Sequence, residues 1–288
     1  MVEYALEAIS HAGTSLGIVS KEGVVLAAER RVSSKLLETR DLEKTYVLDD
    51  HVAVCVAGIV SDANTLVHYA RSVAQNFEAT FSEPMPVEQL VTRVADLKQG
   101  YTQFGGLRPY GVSMLYAGWD RNNGYQLYVS DPAGNFGAWR ATCVGANAQT
   151  AQSMLKTHLA GPSGGSGADG ADGPGADTHT SATSQDDAIE LTLEDAINLS
   201  VKILCKTIES SNVTSEKLEI AVLTLHPVSK KPVFRALTRE ELDILIARIM
   251  AAEAAEKAAA EAEKAQQAAR AASEAAAAIR ANASGSGN

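Results

Sequence analysis

Two apolar runs, Leu16 to Val19 and Val24 to Ala28, stand on either side of Lys21-Glu22-Gly23 near the start of the chain. A short polar link ending in glycine between such runs predicts an antiparallel hairpin. Both runs are almost continuously apolar instead of alternating, the pattern of strands covered on both faces in the middle of a sandwiched sheet. Gly13, Gly17, Ala27 and Ala28 are small enough to let other backbone pack close. The second run ends abruptly in Glu29-Arg30-Arg31, where the strand leaves the core. Ahead of the hairpin, Tyr4, Ala5, Ala8 and Ile9 recur at helical spacing, and Gly13 follows as a stop.

After the hairpin, Val32 to Glu43 is polar and charged with no clear period. Lys44 to Leu48 and Val52 to Val56 predict two further strands joined at Asp49-Asp50-His51. Ser61-Asp62 is placed to cap a long helix from about Ala63 to Phe77, with Leu66, Tyr69, Ala70 and Val73 on one face. Pro84 and Pro86 precede a second helix near Val87 to Gln99. Strands follow over Gly111 to Asp120, Tyr125 to Asp131 and Phe136 to Val144, with turns at Asn122-Asn123-Gly124 and Pro132-Ala133-Gly134-Asn135. Helices over about Ala146 to Leu159 and Leu193 to Ile208, then strands over Leu218 to Leu225 and Val233 to Leu237, complete the order. Helices grouped between antiparallel strands predict an α+β layered domain.

Gly161 to Asp187 is built from Gly, Ser, Ala, Asp and Thr with almost nothing large and apolar. Burial there cannot repay ordering entropy, so a disordered surface loop is expected. Its formal GxGxxG, Gly165 to Gly170, has no strand before it and no helix after it, and does not predict a nucleotide site. Thr238-Arg-Glu-Glu241 has capping-box spacing, and Leu242, Leu245, Ile246 and Ile249 supply a stripe for docking the first turns of a last helix. Beyond about Ala251 the chain is rich in Ala, Glu and Lys, with high helix propensity and little to bury. The expected division is a helix over 1–12, a sandwich domain over 13–250 and an exposed helical tail over 251–288.

Composition narrows the function. A net charge of -10 and the lack of a basic stripe exclude a general nucleic-acid binder. Cys55, Cys143 and Cys205 are widely spaced in apolar runs, as reduced buried thiols of a cytosolic or nuclear protein would be, and they make no zinc pattern with the histidines. The first residues form an amphipathic segment instead of a signal peptide, and no apolar run reaches membrane-span length. Asn198, Asn212 and Asn282 therefore head chance Asn-x-Ser/Thr triplets. Neither a cofactor nor a metal is expected.

The Gly13-Thr-Ser start of the hairpin, its Ala27-Ala28-Glu29-x-Arg31 end and the preceding Val2-Glu-Tyr-Ala-Leu-Glu-Ala-Ile9 resemble the alpha-type subunits of the 20S proteasome. The resemblance extends over roughly 2–160 and 189–240. It implies the four-layer alpha-beta-beta-alpha sandwich of the N-terminal-nucleophile hydrolases. It also implies a non-catalytic subunit in a seven-membered outer ring, stacked on proteolytic beta subunits. Its partners would be other alpha subunits, the beta ring below and regulatory ATPases or other activators on the outer face, in cytoplasm and nucleus. No nucleic acid and no membrane enter the picture. Two features differ from the family. The 161–187 connection is much longer than usual, and the family's gate-forming extension ahead of Val2 is not present in this sequence, so no gating residue is carried over.

Enzymes of this layout use an N-terminal threonine activated by its own amine, with a lysine and an acidic group beside it. Thr14 or Ser15, Glu29 and Lys44 are partial candidates. The register of Leu16-Gly17-Ile18 sets Gly13, which has no hydroxyl, where the family's nucleophile stands. No catalytic residue is expected, and a beta-like threonine peptidase using Thr14 after self-processing is the alternative; an unrelated scaffold with a helical tail is the third reading. Lys44 in Glu43-Lys44-Thr-Tyr-Val-Leu48 reads on its own as an exposed strand-start lysine. The resemblance instead implies that Lys44 and Gly58 line a pocket between subunits, where the lysine pairs with the C-terminal carboxylate of an activator tail. The Tyr101 to Gly111 loop reads as a rigid connection in which Arg108 bonds carbonyls or stacks on Tyr110; the resemblance adds subunit contact near the ring's axial surface. Asp131-Pro-Ala-Gly134 reads as a turn whose carboxylate caps backbone amides.

Overall fold

A computed structural model of the chain describes residues 1–31, 36, 43–159, 191–208, 213–252, 254 and 255. The 161–187 insertion and most of the 32–43 segment and of the 251–288 tail lie outside the described residues. Helix α1 (Val2–Ser10) leads into the hairpin of β1 (Ser15–Val19) and β2 (Gly23–Glu29). Next come β3 (Thr45–Asp49), β4 (Val52–Gly58), α2 (Val60–Phe81) and α3 (Val87–Gln103). Strands β5 (Val112–Asp120), β6 (Gly124–Ser130), β7 (Phe136–Ala138) and β8 (Ala141–Val144) follow. Helices α4 (Ala148–Leu159) and α5 (Leu193–Thr207) and strands β9 (Leu218–Leu225) and β10 (Pro232–Ala236) complete the order.

The strands make two five-stranded antiparallel sheets, β10-β9-β2-β1-β8 and β3-β4-β5-β6-β7. Helices α4 and α5 cover the first sheet, α2 and α3 cover the second, and the sheets face each other. The expected four-layer sandwich is therefore present. The two-fold periodicity of strands decides which side chain goes where. In β4 and β5, Val54, Val56, Met114 and Tyr116 pack under α2 and α3. Their neighbours Ala53, Cys55, Leu115 and Ala117 meet Val24, Leu26 and Ala28 of the first sheet. Every residue of β2 is buried, which is why its run shows no alternation. Where the two sheets are closest, a methyl at Gly17 would lie 2.6 Å from Leu127.

Two expectations are corrected. The run 136–144 is not one strand. β7 pairs with β6 in the second sheet, β8 pairs with β1 in the first, and the chain crosses between sheets at Trp139-Arg140. An apolar-polar count cannot register a change of sheet. Ser61-Asp62 does not cap α2, which starts at Val60 with no side-chain cap, because the Asp62 carboxylate is turned to Arg108 and to the Gly111 amide. The capping box at 238–241 does form, with Thr238 N donating to Glu241 Oε2 at 2.9 Å and Glu241 N to Thr238 Oγ1 at 3.4 Å. Residues 244 onwards form a second compact unit, helical over its described part.

Lys98 of α3 was read as nothing in particular from the sequence, yet its side chain is wholly buried. Its Nζ donates to Ser130 Oγ at 2.8 Å, Val112 O at 3.1 Å and Ser130 O at 3.4 Å, tying the helix to β5 and β6. Tyr116 OH shares Ser130 Oγ at 3.1 Å. Burial pulls the ammonium down to about 7, with Asp131 opposing. A lysine whose folded value lies below its unfolded value binds fewer protons when folded, so stability rises with pH through the interval between them. We predict that denaturant unfolding at pH 9 and pH 7 differs by on the order of 2 kcal/mol more in the natural chain than in Lys98→Met, with higher stability at pH 9. Equal pH responses in the two chains would show that Lys98 keeps an ordinary lysine's proton affinity.

Candidate functional site

The site lies at one end of the sandwich, where α1 turns into β1, β3 begins and β4 ends. Glycine at 13 is required by space, since a Cβ there would stand 2.7 Å from Glu29 O and 3.2 Å from Lys44 Nζ. The Lys44 ammonium donates instead to the main-chain oxygen Gly13 O at 2.8 Å. The Gly13 position is closed from the other side too: Ala146 N donates to Ala12 O at 2.8 Å, and a side chain at Gly145 would run into Gly13 O at 2.7 Å.

Thr14, the alternative nucleophile, is fully buried and fully engaged. Its hydroxyl donates to Ala146 O at 2.6 Å, and its amide donates to Glu29 Oε2 at 3.1 Å. That nitrogen is an ordinary peptide amide following α1, whose Ala5 and Ile9 are buried. Ser15 Oγ is spent on Val56 O at 3.1 Å. The hydroxyls, acid and lysine singled out in the sequence do come together here. They come together as donors and acceptors of backbone, with no free amine and no uncommitted hydroxyl among them.

Charge is laid out in pairs around Lys44. Glu29 receives Arg31 Nε on Oε1 at 3.3 Å, while Arg31 Nη1 reaches His11 O at 2.6 Å. Glu219, which the sequence reading passed over, is buried and takes three donors: Lys44 N and Arg30 Nε at 3.0 Å on Oε2, and Thr45 N at 3.1 Å on Oε1. Its only signal in the sequence is an acid embedded in the apolar run Leu218 to Leu225. Burial lowers the proton affinity of the Lys44 ammonium; Cys55, Glu29 and Glu219 act against that, and Arg31 adds to it. The lysine is thus half-buried and partnered instead of an exposed strand-start residue.

Gly58 ends β4 at the same end of the sheet, two residues beyond Val56, whose amide donates to Lys44 O at 3.0 Å. Its φ is +134°, and a Cβ would stand 2.2 Å from Gly111 O, so no other residue fits without moving β5. The space that a glycine leaves is filled by the protein's own backbone. Gly111 in turn is held by Asp62, whose Oδ2 accepts the Gly111 amide at 2.9 Å. Arg108 grips the two Asp62 oxygens at 2.6 Å each and also donates to Pro109 O at 3.2 Å. Those bonds hold the Asp62 carboxyl below its ordinary range, with Arg108 the chief cause. Tyr110 stacks on Tyr101, ring centroids 4.5 Å apart, and not on Arg108. Asp131 does cap a turn, accepting Asn135 N at 2.9 Å. Cys55 and Cys143 are buried thiols as expected, while Cys205 is only half-buried.

Comparison with known proteins agrees with this layout. The profile of the family described as proteasome subunit matches residues 9–163. Proteasome subunit alpha type-4 of Spinacia oleracea is 52% identical over 80% of this chain and 81% of its own. Alpha type-4-A of Arabidopsis thaliana is 49% identical over 86% and 88%, and alpha type-4-2 of Oryza sativa subsp. indica 46% identical over 89% and 92%. With the sandwich in place and the helix ahead of Gly13 intact, the chain belongs to the proteasome subunit family, as an alpha-type member.

Proposed function

We propose that this alpha subunit is a non-catalytic building block of a 20S core particle. Its place is the outer seven-membered ring, above proteolytic beta subunits, in the cytoplasm and nucleus. There it templates ring assembly, restricts entry to the chamber and receives regulatory ATPases or other activators during ubiquitin- and ATP-dependent protein degradation. The observation that carries the non-catalytic reading is the Lys44 ammonium resting on Gly13 O at 2.8 Å. A lysine that would assist a nucleophile has only a carbonyl to assist, and no side chain fits at that position.

The alternative, a threonine peptidase acting through Thr14, would require cleavage between Gly13 and Thr14. That would sever the strand from the carbonyl that Lys44 holds. It would also require Thr14 Oγ1 to leave Ala146 O, to which it donates at 2.6 Å. The test is direct. Neither the natural chain nor Gly13→Thr is expected to react with a threonine-directed electrophile in assembled particles. Gly13→Thr is expected to lose about 1–3 kcal/mol in denaturant unfolding, the usual cost of forcing atoms into filled space. Labelling of Thr14, read by peptide mass, would establish the peptidase instead.

Lys44 and Gly58 are our candidates for the activator-tail pocket. An ammonium has three hydrogens, and Gly13 O accepts only one. Arg30 and Arg31 flank the site, bonded to the carboxylates of Glu219 and Glu29. Lys44→Ala is expected to leave ring assembly intact and to weaken activator docking at this pocket about tenfold or more, the worth of a charge-assisted hydrogen bond. The measurement is activator affinity for mutant particles with neighbouring pockets disabled; unchanged affinity would remove Lys44 from the docking site.

A further inference from the structure

The sandwich has two sheets, and the Lys44 site straddles them. Gly13, Glu29 and Glu219 belong to the hairpin side and to β9 of the first sheet, whereas Lys44 and Thr45 open β3 of the second. Glu219 is paired with Ala28 across β2, so its backbone is fixed in the first sheet. Its side chain leaves that sheet to receive the consecutive amides of Lys44 and Thr45. Two amides converging on one carboxylate set both position and direction of the backbone that bears Lys44, because each oxygen takes its own donor. Arg30, held by its own amide on Lys217 O at 2.7 Å, adds the third bond and keeps the carboxylate paired in its buried setting. Glu219 does not touch Gly13, and no bond joins it to the Lys44 ammonium.

We infer that Glu219 is the positioning residue of the Lys44 site: anchored in the first sheet, it grips the start of β3 and thereby presents the Lys44 ammonium to Gly13 O and to an incoming carboxylate. The second half of that statement rests on the docking reading above; the first half does not. Its charge has a further consequence. The groups facing Lys44 are Glu29, Glu219, Arg31 and the Cys55 thiol, and Arg30 faces it through Glu219. Removing the negative charge of Glu219 leaves two arginines beside Lys44 with Glu29 as the remaining carboxylate. The ammonium then gives up its proton more readily.

The experiment is reductive methylation of Lys44 with formaldehyde and a borohydride reagent in assembled particles, followed by peptide mass across about pH 6 to 10, where lysine amines become reactive. The expected result for Glu219→Gln is a reactivity midpoint about one pH unit below that of the natural chain. Glu219→Asp, which keeps the charge, is expected to restore the midpoint to within a few tenths. A midpoint moved up towards an ordinary lysine would show that loss of the grip loosens β3 and exposes Lys44, which upholds the positioning role without the charge effect; an unchanged curve overturns the proposal. Should Glu219→Gln fail to enter particles, the same curve is read on the unassembled subunit, where an unchanged midpoint overturns the proposal equally. Activator affinity in the same particles separates the two readings. A lowered midpoint with Lys44→Ala docking unimpaired supports Glu219 as the positioning residue and discards the docking role of Lys44.

Discussion

The bond from Lys44 Nζ to Gly13 O is the contact on which this end of the molecule depends. A charge removed from water is costly unless it is paired and hydrogen-bonded. The chain meets that requirement by surrounding one lysine with main-chain oxygen and two carboxylates, each in turn held by an arginine. Every member of the group is partnered by another. Breaking one buried pair typically costs about 3–5 kcal/mol, since the charge left behind has no water to return to. The group ties the start of β3 to the first sheet and to the segment that follows the leading helix.

Such a clamp is needed because the rest of the packing at this end is apolar and undirected. The hairpin is buried on both faces, with side chains small enough for the second sheet to come within contact of the Gly17 backbone. Apolar burial holds the sheets together without choosing their offset along the strands. Directional bonds from Glu219 to β3, from Ser15 to Val56 and from Lys44 to Gly13 do choose it. On the outer side of the second sheet, Lys98 does comparable work for α3, and there the ammonium has acceptors but no carboxylate in contact. At Lys44 the carboxylates of Glu29 and Glu219 act against the effect of burial, and at Lys98 Asp131 does.

Most of the fold was legible in the sequence because its signals are local. The hairpin, α3, the strands around Asn122-Asn123-Gly124 and the Thr238 capping box each follow from a few adjacent residues. What escaped was non-local. The 136–144 run has the composition of one strand, and only pairing partners far away in the chain assign β7 to one sheet and β8 to the other. Asp62 has the spacing of a helix cap, and it took Arg108, 46 residues on, to claim it. Glu219 carries no motif at all, and its partners lie 174 and 175 residues away. At the site, Gly13, Glu29 and Lys44 were singled out because the family resemblance names those positions, whereas their bonds to backbone could not be read from residue types.

The two glycines of the site make opposite use of the same missing atom. At Gly13 the space is taken by Glu29 O and the lysine amine, and the consequence is chemical: the ammonium meets a main-chain oxygen and no side chain. At Gly58 the space is taken by Gly111 O, and the consequence is mechanical, since Asp62 and Arg108 then fix the loop that runs into β5. Lys44 immediately precedes β3, which lies on the other side of β4 from β5. The strand order β3-β4-β5 thus sets the Asp62–Arg108 pair on one flank of β4 and Lys44, just ahead of β3, on the other.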